Sequence, residues 1–297
     1  MPVPTRLVKR RIKSIRSTRK IMKAMELVAA SKMRKAIGQT LASRPYAALI
    51  EEMSRELRTL VYSHRHPLLT GFGLDRAKKT LLVVVASDRG LCGGFNAQIV
   101  KQAVEFLKLR TEDVELVTIG RRAEQVVRRS HRVASASFES IANVSSFARV
   151  KPMADYLLQA FLDQRVGKIF IAYTEFQSTL VQVPHVNQLL PVIPEIELVV
   201  QPTYIEREAL QGERILFEPS PDAVFEGLLP ALIEMQIYQA LLESSASEHS
   251  ARMLAMKNAG DAAKDMLEDL TFALNQARQA GITQEISEIS AGKAAIQ

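Results

Sequence analysis

The sequence is poor in cysteine and in aromatic residues, and it has no long apolar run. Its single cysteine, Cys92, excludes an internal disulfide framework and fits a reducing compartment. Tryptophan is absent and aromatic residues make up only 6% of the chain, a composition that suits slender helix seams better than a thick core. The longest purely apolar run, 81–86, is far shorter than the ~20 residues that cross a bilayer, so we expect no membrane span.

Both ends of the chain are nearly free of helix-breaking residues. Residues 4–61 contain one glycine, Gly38, and after Pro4 one proline, Pro45. Apolar residues recur there at steps of three and four, and again over 221–296, which places one apolar stripe along each helix. Neither helix can bury its stripe alone. The sequence therefore predicts that the two ends pair as a long antiparallel coiled coil.

The middle of the chain alternates short β-branched runs with helical patterns. This alternation predicts a mostly parallel, Rossmann-like α/β sheet inserted between the terminal helices. The predicted strands are 79–86, 114–119, 168–173 and 179–190, and the predicted helices are 97–109, 121–129 and 147–164. We expect a coiled-coil shaft over 1–65 and 212–297 and an α/β domain over 75–205.

Local signals mark the second terminal helix. Ser220 as N-cap, Pro221 at the first helical position and Asp222 near the positive end of the helix dipole predict a helix start. Pro230 should then kink this helix or begin a new segment. The basic beginning of the chain runs directly into the first long helix, so we expect it to belong to the mature protein rather than to a presequence.

Positive charge is concentrated at the start of the chain. Residues 1–44 hold 13 lysines and arginines and one acid, Glu26, whereas residues 222–297 hold 11 acids and 5 bases. Flanking contacts between two oppositely charged helices favour their pairing. The surplus of positive charge requires an anionic partner, and nucleic acid, anionic lipid and an acidic protein surface all remain candidates.

The glycine-rich segment 87–96 lies between the first predicted strand and the following helix. Doubly wound folds often hold phosphates at this place, but the spacing matches neither common phosphate-binding motif. Glycines that permit a tight turn explain the segment as well, and Cys92 is either a nucleophile or a buried thiol. The five histidines are scattered, and we find no hydrolase or metalloprotease motif. We therefore expect no catalytic site, no cofactor and no metal site.

Several long motifs, in order along essentially the whole chain, resemble the gamma subunit of rotary ATP synthases. They are 20–36 in the first helix, the Ser-Asp-Arg-Gly-Leu-Cys-Gly-Gly segment that begins at Ser87, the Gln-Leu-Leu-Pro segment 188–191, and 247–259 with 275–289 in the last helix. The resemblance implies a rotor: a shaft inside a hexamer of alpha and beta subunits, with the α/β domain against the epsilon subunit and the membrane c-ring. It implies one copy per complex, no catalytic site, and a peripheral place on the cytoplasmic face of a bacterial plasma membrane.

The same resemblance implies roles for individual residues. Those expected at subunit contacts or in coupling are Lys23, Met25, Arg252, Arg278, Gln279, Thr283, Glu285 and Glu288. Those expected to shape the central motif loop are Asp88, Arg89, Gly90, Cys92, Gly93 and Gly94. The chain departs from the usual family pattern at Leu274, Gly281 and Lys293. Two other functions stay open from the residues alone: a basic coiled-coil nucleic-acid-binding protein, and a nucleotide-dependent enzyme that uses the glycine-rich loop.

Overall fold

The computed structural model describes residues 5–60, 66–72, 79–139, 146–192, 218 and 220–296. The chain forms two compact units, which we call the terminal unit (Met1–Ala30 with Arg252–Gln297) and the central unit (Ser31–Ala251). The limits expected for the shaft and the α/β domain stay predictions, and segments 61–65, 73–78 and 193–217 lie outside the described residues. No helix in the described ranges combines the length and apolar character that crossing a membrane requires.

Eleven helices and strands follow one another along the described chain, with short 3-10 helices at Arg121–Ala123 and Phe147–Arg149. They are α1 Thr5–Leu60, α2 Pro67–Thr70, β1 Lys79–Val85, α3 Phe95–Lys108, β2 Asp113–Ile119, α4 Glu124–Ser130, β3 Ala134–Phe138, α5 Lys151–Leu162, β4 Lys168–Phe176, β5 Gln182–Leu190 and α6 Pro221–Ile296. The two long terminal helices, the four predicted strands and the helices between them are thereby confirmed. The fold is an α/β sheet domain inserted between the N- and C-terminal helices of an antiparallel coiled coil.

The sheet of the central unit has the strand order β3-β2-β1-β4-β5. The first four strands are parallel, and β5 runs antiparallel to β4. The edge strand β3 is absent from the sequence prediction. Its sequence, Ala-Ser-Ala-Ser-Phe, holds one large apolar residue and alternates half-buried with exposed positions, so it has neither the β-branched run nor the buried pattern of β1.

Helices cover both faces of the sheet, which explains the continuous apolar run in β1. Leu81 and Val83 face a core formed with α5 and the first part of α6, whereas Leu82 and Val84 face a core formed with α3 and α4. Successive side chains of a strand point to opposite faces, so a strand covered twice must be apolar at every position. Leu68 of α2 is buried in the first core, and its carbonyl oxygen accepts a hydrogen bond from the Val192 amide at 2.8 Å.

The start of α6 follows the predicted capping. Of the two outcomes expected at Pro230, a kink or a new segment, the second does not occur. The Ser220 hydroxyl accepts a hydrogen bond from the Ala223 amide at 3.3 Å. The helix then runs from Pro221 to Ile296 with Pro230 inside it, so no new segment begins there. Leu229 and Ile233 are fully buried on either side of the proline, and this packing holds the turn in place.

In the terminal unit, the least exposed side chains of both helices follow a heptad spacing. The buried or half-buried residues of α1 include Val8, Ile12, Ile15, Met22 and Ala29. Those of α6 include Met256, Ala263, Leu267, Leu270, Leu274 and Ala277. Steps of three, four and seven are the signature of a coiled-coil seam. Leu274, one of the departures from the family pattern, therefore lies on the seam side.

Gly281 sits in an exposed turn of α6 where a side chain has open space. A Cβ atom built at this position meets no atom within 4 Å. Because alanine favours the helical backbone over glycine by about 1 kcal/mol, Gly281→Ala should raise the unfolding free energy of this helix end by up to that amount. Urea unfolding followed by far-UV circular dichroism measures it. Gly38→Ala, at an equally open site in α1, is the matched control and should give a similar gain. Lower stability of the Gly281 variant alone would contradict the prediction.

Candidate functional site

The central motif loop, 87–94, lies at the carboxyl end of β1 and leads into α3. Strand order reverses beside β1, because β2 and β3 follow on one side and β4 and β5 on the other. In open α/β sheets, ligands bind at such a reversal. The loop therefore occupies the position at which a nucleotide-binding enzyme would hold its ligand, and its interior decides between the two interpretations.

The interior of the loop is filled by its own polar side chains. Asn96 Oδ1 accepts hydrogen bonds from the Ser87 amide at 3.1 Å and from Ser87 Oγ at 2.9 Å, while Asn96 Nδ2 lies 3.0 Å from Cys92 Sγ. Ser87 Oγ also lies 2.7 Å from the Arg89 carbonyl oxygen. Ser87 and Cys92 are almost completely buried. The polar side chains in the loop interior thus bond to one another and to the loop backbone. These contacts favour a structural role for the loop and for its thiol.

Contacts with the turn after β2 fix the outer side of the loop. The Arg122 amide donates to the Ser87 carbonyl oxygen at 3.0 Å, and the Arg121 amide donates to Asp88 Oδ1 at 3.4 Å. A Cβ atom on Gly90 would lie 3.2 Å from a guanidinium nitrogen of Arg122. The loop and the turn thus form one connected surface at the carboxyl edge of the sheet.

The backbone of the loop explains part of its glycine content. Gly93 has a φ of 58°, and Leu91 reaches a φ of 63° although it is not glycine. The left-handed region is open to glycine at little cost and is strained for leucine. The side chain of Leu91 is 64% exposed, so burial of this side chain does not explain its strained backbone. Gly94, the N-cap of α3, has a right-handed conformation and makes no side-chain cap. The expected shaping role thus fits Gly93 through its backbone conformation.

The sequence does not single out Asn96, and the structure makes it the centre of the loop. Asn96→Leu should lower the unfolding free energy of the central unit by about 2 kcal/mol, because the buried Ser87 N–H loses its acceptor. Chemical unfolding followed by circular dichroism measures the change. Gln98→Ala, two residues further along α3 at an exposed position, is the control and should change little. Equal stabilities of the two variants would refute the assigned role of Asn96.

The residues expected at subunit contacts all lie in the terminal unit. Lys23 is exposed and pairs with Glu26, with Nζ 2.8 Å from Oε1, and Met25 is half-buried. Arg252 is buried and has its own contacts. The remaining five are exposed on the last part of α6: Arg278, Gln279, Thr283, Glu285 and Glu288. The structure brings these residues into one unit and leaves the central motif loop in the other.

The basic side chains at the start of the chain lie on the exposed surface of α1. Twelve of the thirteen have described side chains, and all twelve are exposed: Arg6, Lys9, Arg10, Arg11, Lys13, Arg16, Arg19, Lys20, Lys23, Lys32, Arg34 and Lys35. These side chains are therefore not buried in the seam of the coiled coil. Lys23 is paired with Glu26 on the same helix, and the exposed surface of α1 as a whole keeps a large excess of positive charge.

The end of α6 differs from the rest of the terminal unit. Every residue from Arg278 to Ala291 is exposed, so no described part of the chain covers this stretch. Ile282, Ile286 and Ile289 are 49%, 59% and 73% exposed and follow at steps of four and three, which places them on one side of the helix. We call these three residues the isoleucine stripe. Together they present apolar surface along one side of the helix end. The side chain of Lys293 lies outside the described part.

Within the described residues, no group of three or more histidine, cysteine, aspartate or glutamate side chains is arranged to hold a metal ion. His185 is paired with Glu175, with Nε2 2.9 Å from Oε2. The His66 ring accepts a hydrogen bond from the Leu68 amide at the start of α2, and burial lowers the pKa of this histidine. Each of these two histidines therefore has a structural contact that explains its position.

Comparisons with known proteins agree on one family. A sequence model described as ATP synthase matches residues 5–296. The chain is 41% identical over 291 residues to the protein of Heliobacterium modesticaldum named ATP synthase gamma chain, covering 97% of this chain and 98% of that one. The central stalk in a Tetrahymena thermophila mitochondrial ATP synthase structure is 26% identical, with a TM-score of 0.58, over 80% of this chain and 99% of that chain. A chain of a Euglena gracilis mitochondrial ATP synthase shares the fold, with a TM-score of 0.65 at 17% identity over 98% and 94%.

Proposed function

This chain belongs to the gamma-chain family of ATP synthases and has the central-stalk rotor role of that family, and from this premise we propose its partners and contacts. The alpha and beta subunits form the hexamer around the shaft, and the epsilon subunit and membrane c-ring hold the α/β domain. One copy serves each complex. Torque passes through this chain and couples proton flow to ATP synthesis or hydrolysis.

A single observation carries this proposal: the two chain ends share one compact unit, and beyond their seam α6 continues with an uncovered isoleucine stripe. A paired helix segment resists bending and twisting better than a single helix. An apolar stripe at its end fits an apolar sleeve in which the shaft turns. These two properties are those required of a shaft seated in a hexamer.

The charge of α1 supports a second contact. Lys23 and the other exposed cations of α1 would face acidic loops of the beta subunits, and half-buried Met25 would lie where those loops pass. Arg278, Gln279 and Thr283 would make polar contacts with the hexamer, supported by Arg252, Glu285 and Glu288. Surface ion pairs of this kind are individually weak, at about 0.2–1 kcal/mol. Weak contacts can be broken and remade at each step of rotation.

We assign no catalytic site to this chain. The central motif loop uses its interior polar groups for its own contacts, so the ATP would be bound by the hexamer instead. The chain would act at the cytoplasmic face of a bacterial plasma membrane as a peripheral subunit. The bacterial source of its relative supports this location. The nucleic-acid alternative receives no support from the comparisons.

Co-expression with alpha and beta subunits tests the proposal. The chain should co-purify with the hexamer and raise its ATPase activity. A charge-based nucleic-acid binder would instead bind DNA or RNA with an affinity that falls steeply with salt. A nucleotide-dependent enzyme would bind ATP or NAD saturably as an isolated chain. Failure to join the hexamer, combined with either of these results, would overturn the rotor assignment.

A further inference from the structure

The part of α6 that follows the apolar core buries a run of polar residues. Within the central unit, the helix first packs Leu232, Ile233 and Leu241 into the core beneath the sheet. It then buries, over 244–250, the residues Ser244, Ser245, Ser247, Glu248, His249 and Ser250. Buried polar groups destabilise a fold unless they find hydrogen-bond partners. The hydrogen-bond partners of Ser247 and Ser250 identify the element that this part of α6 contacts.

Two of these serines donate hydrogen bonds to the backbone of the β4–β5 hairpin. Ser247 Oγ donates to the Thr174 carbonyl oxygen at 3.2 Å, and Ser250 Oγ donates to the Thr179 carbonyl oxygen at 2.8 Å. Thr174 lies in β4, and Thr179 lies in the connection to β5. The residue opposite Thr174 in β5 is Pro184, which has no N–H group to donate. Ser247 therefore supplies a donor to the Thr174 carbonyl oxygen, where the opposite residue of β5 has none. The Thr179 carbonyl oxygen accepts from Ser250 Oγ and also from Gln182 Nε2, at 2.9 Å, so Ser250 adds a second donor at the connection to β5.

A polar chain links the same stretch of α6 to α1. Ser43 Oγ donates to Gln239 Oε1 at 2.9 Å, and Gln239 Nε2 donates to Glu243 Oε1 at 3.0 Å. Burial raises the pKa of Tyr173 in β4, and the nearby charge of Glu243 raises it further. Within the central unit, α1, α6 and the outer strand pair are thus joined by directional polar contacts next to their apolar packing.

We propose that Ser247 and Ser250 form a clasp that fixes the β4–β5 hairpin to α6, so that the sheet turns with the shaft without slipping. This proposal rests on the rotor function. Apolar packing resists separation but is non-directional. Hydrogen bonds constrain distance and angle, and therefore resist sliding of the hairpin along the helix. Both serines are positioning residues, because they act by holding the hairpin in place.

The first test measures opening of the hairpin in the complete complex with alpha, beta, epsilon and c-ring subunits. Ser247→Ala/Ser250→Ala should speed amide hydrogen exchange over 174–183 by roughly 5-fold for each lost bond and about 25-fold in total. Exchange in β1 should not change. Ser245→Ala is the matched control: Ser245 is a buried serine of the same helix, and within the described residues its hydroxyl donates to no hairpin carbonyl. The two single variants replace the double variant if the double variant does not assemble.

The second test measures proton pumping for each ATP hydrolysed in membrane vesicles. The double variant should pump fewer protons per ATP than wild type while the hydrolysis rate is retained. Ser250→Thr keeps a hydroxyl at this position, so it should keep the wild-type ratio of protons to ATP, which Ser250→Ala should lower. Unchanged hairpin exchange would show that the clasp does not exist. Faster exchange with a pumping ratio equal to that of the control would reduce the serines to a structural role and overturn the proposal. Failure of the rotor function itself is distinguishable, because the wild-type chain would then not join the hexamer.

Discussion

Gly120→Ala should destabilise the central unit by at least about 3 kcal/mol, a large part of the 5–15 kcal/mol that stabilises a typical domain. Gly120 has a φ of 80° and a ψ of 144°, a region that is essentially restricted to glycine. A Cβ atom there would lie 2.2 Å from the Ala86 carbonyl oxygen. Both the forbidden dihedral pair and the clash with backbone act against the substitution.

The backbone around Gly120 cannot move aside to relieve that clash. The Gly120 amide donates to the Phe138 carbonyl oxygen at 2.9 Å, and its carbonyl oxygen accepts from the Ala123 amide at 3.0 Å. The Ala86 amide is held by the Ile119 carbonyl oxygen at 2.9 Å. The turn is therefore held by hydrogen bonds on both sides, and relief of the clash would break some of them.

Chemical unfolding of the purified chain measures this effect, with Gly90→Ala as the control. Gly90 belongs to the neighbouring loop, its φ is not positive, and a Cβ atom there would meet only the guanidinium group of Arg122, at 3.2 Å. A flexible side chain moves away at little cost, so this control should lose less than about 1 kcal/mol. If both variants unfold at the same denaturant concentration, the fixed turn at Gly120 does not have the importance that its geometry indicates.

The sequence predicted the elements that depend on a repeated pattern. The doubly covered strand β1 and the seams of α1 and α6 each repeat one requirement over many residues, so their signal is strong. Strand β3 was missed because an edge position with small side chains imposes little on the sequence. At Pro230, of the two expected outcomes, the start of a new segment was wrong, because α6 runs through this residue between the buried Leu229 and Ile233.

The candidate site was predictable in location but not in its internal contacts. The motif 87–94 identifies the loop, yet the sequence does not show that Asn96 holds Ser87 and Cys92 together, or that the turn at Gly120 closes against Ala86. These contacts join segments that are distant in the sequence or depend on one side chain's orientation. Similarly, charge counting indicated an anionic partner for α1, but only the structure shows that its described cationic side chains are exposed.

Replacing two residues of the isoleucine stripe should unseat the end of the shaft without affecting the isolated chain. Ile286 and Ile289 are 59% and 73% exposed, so Ile286→Asn/Ile289→Asn should leave the unfolding of the free protein nearly unchanged. If an apolar sleeve of the hexamer buries both side chains, the variant should bind the hexamer about 100-fold more weakly, equivalent to roughly 3 kcal/mol. Coupled proton pumping should fall accordingly.

Ser287→Asn/Ser290→Asn is the matched control for this experiment, because it introduces the same two amides one position further along the helix, at exposed polar residues. Retention of the gamma chain on the alpha–beta hexamer is measured over a dilution series, and ATP-driven proton pumping is measured in parallel. The isoleucine variant should dissociate at far higher concentrations than the serine variant. Equal retention and equal pumping would mean that the stripe is not buried in the complex, and the seating of the shaft would then depend on its polar residues instead.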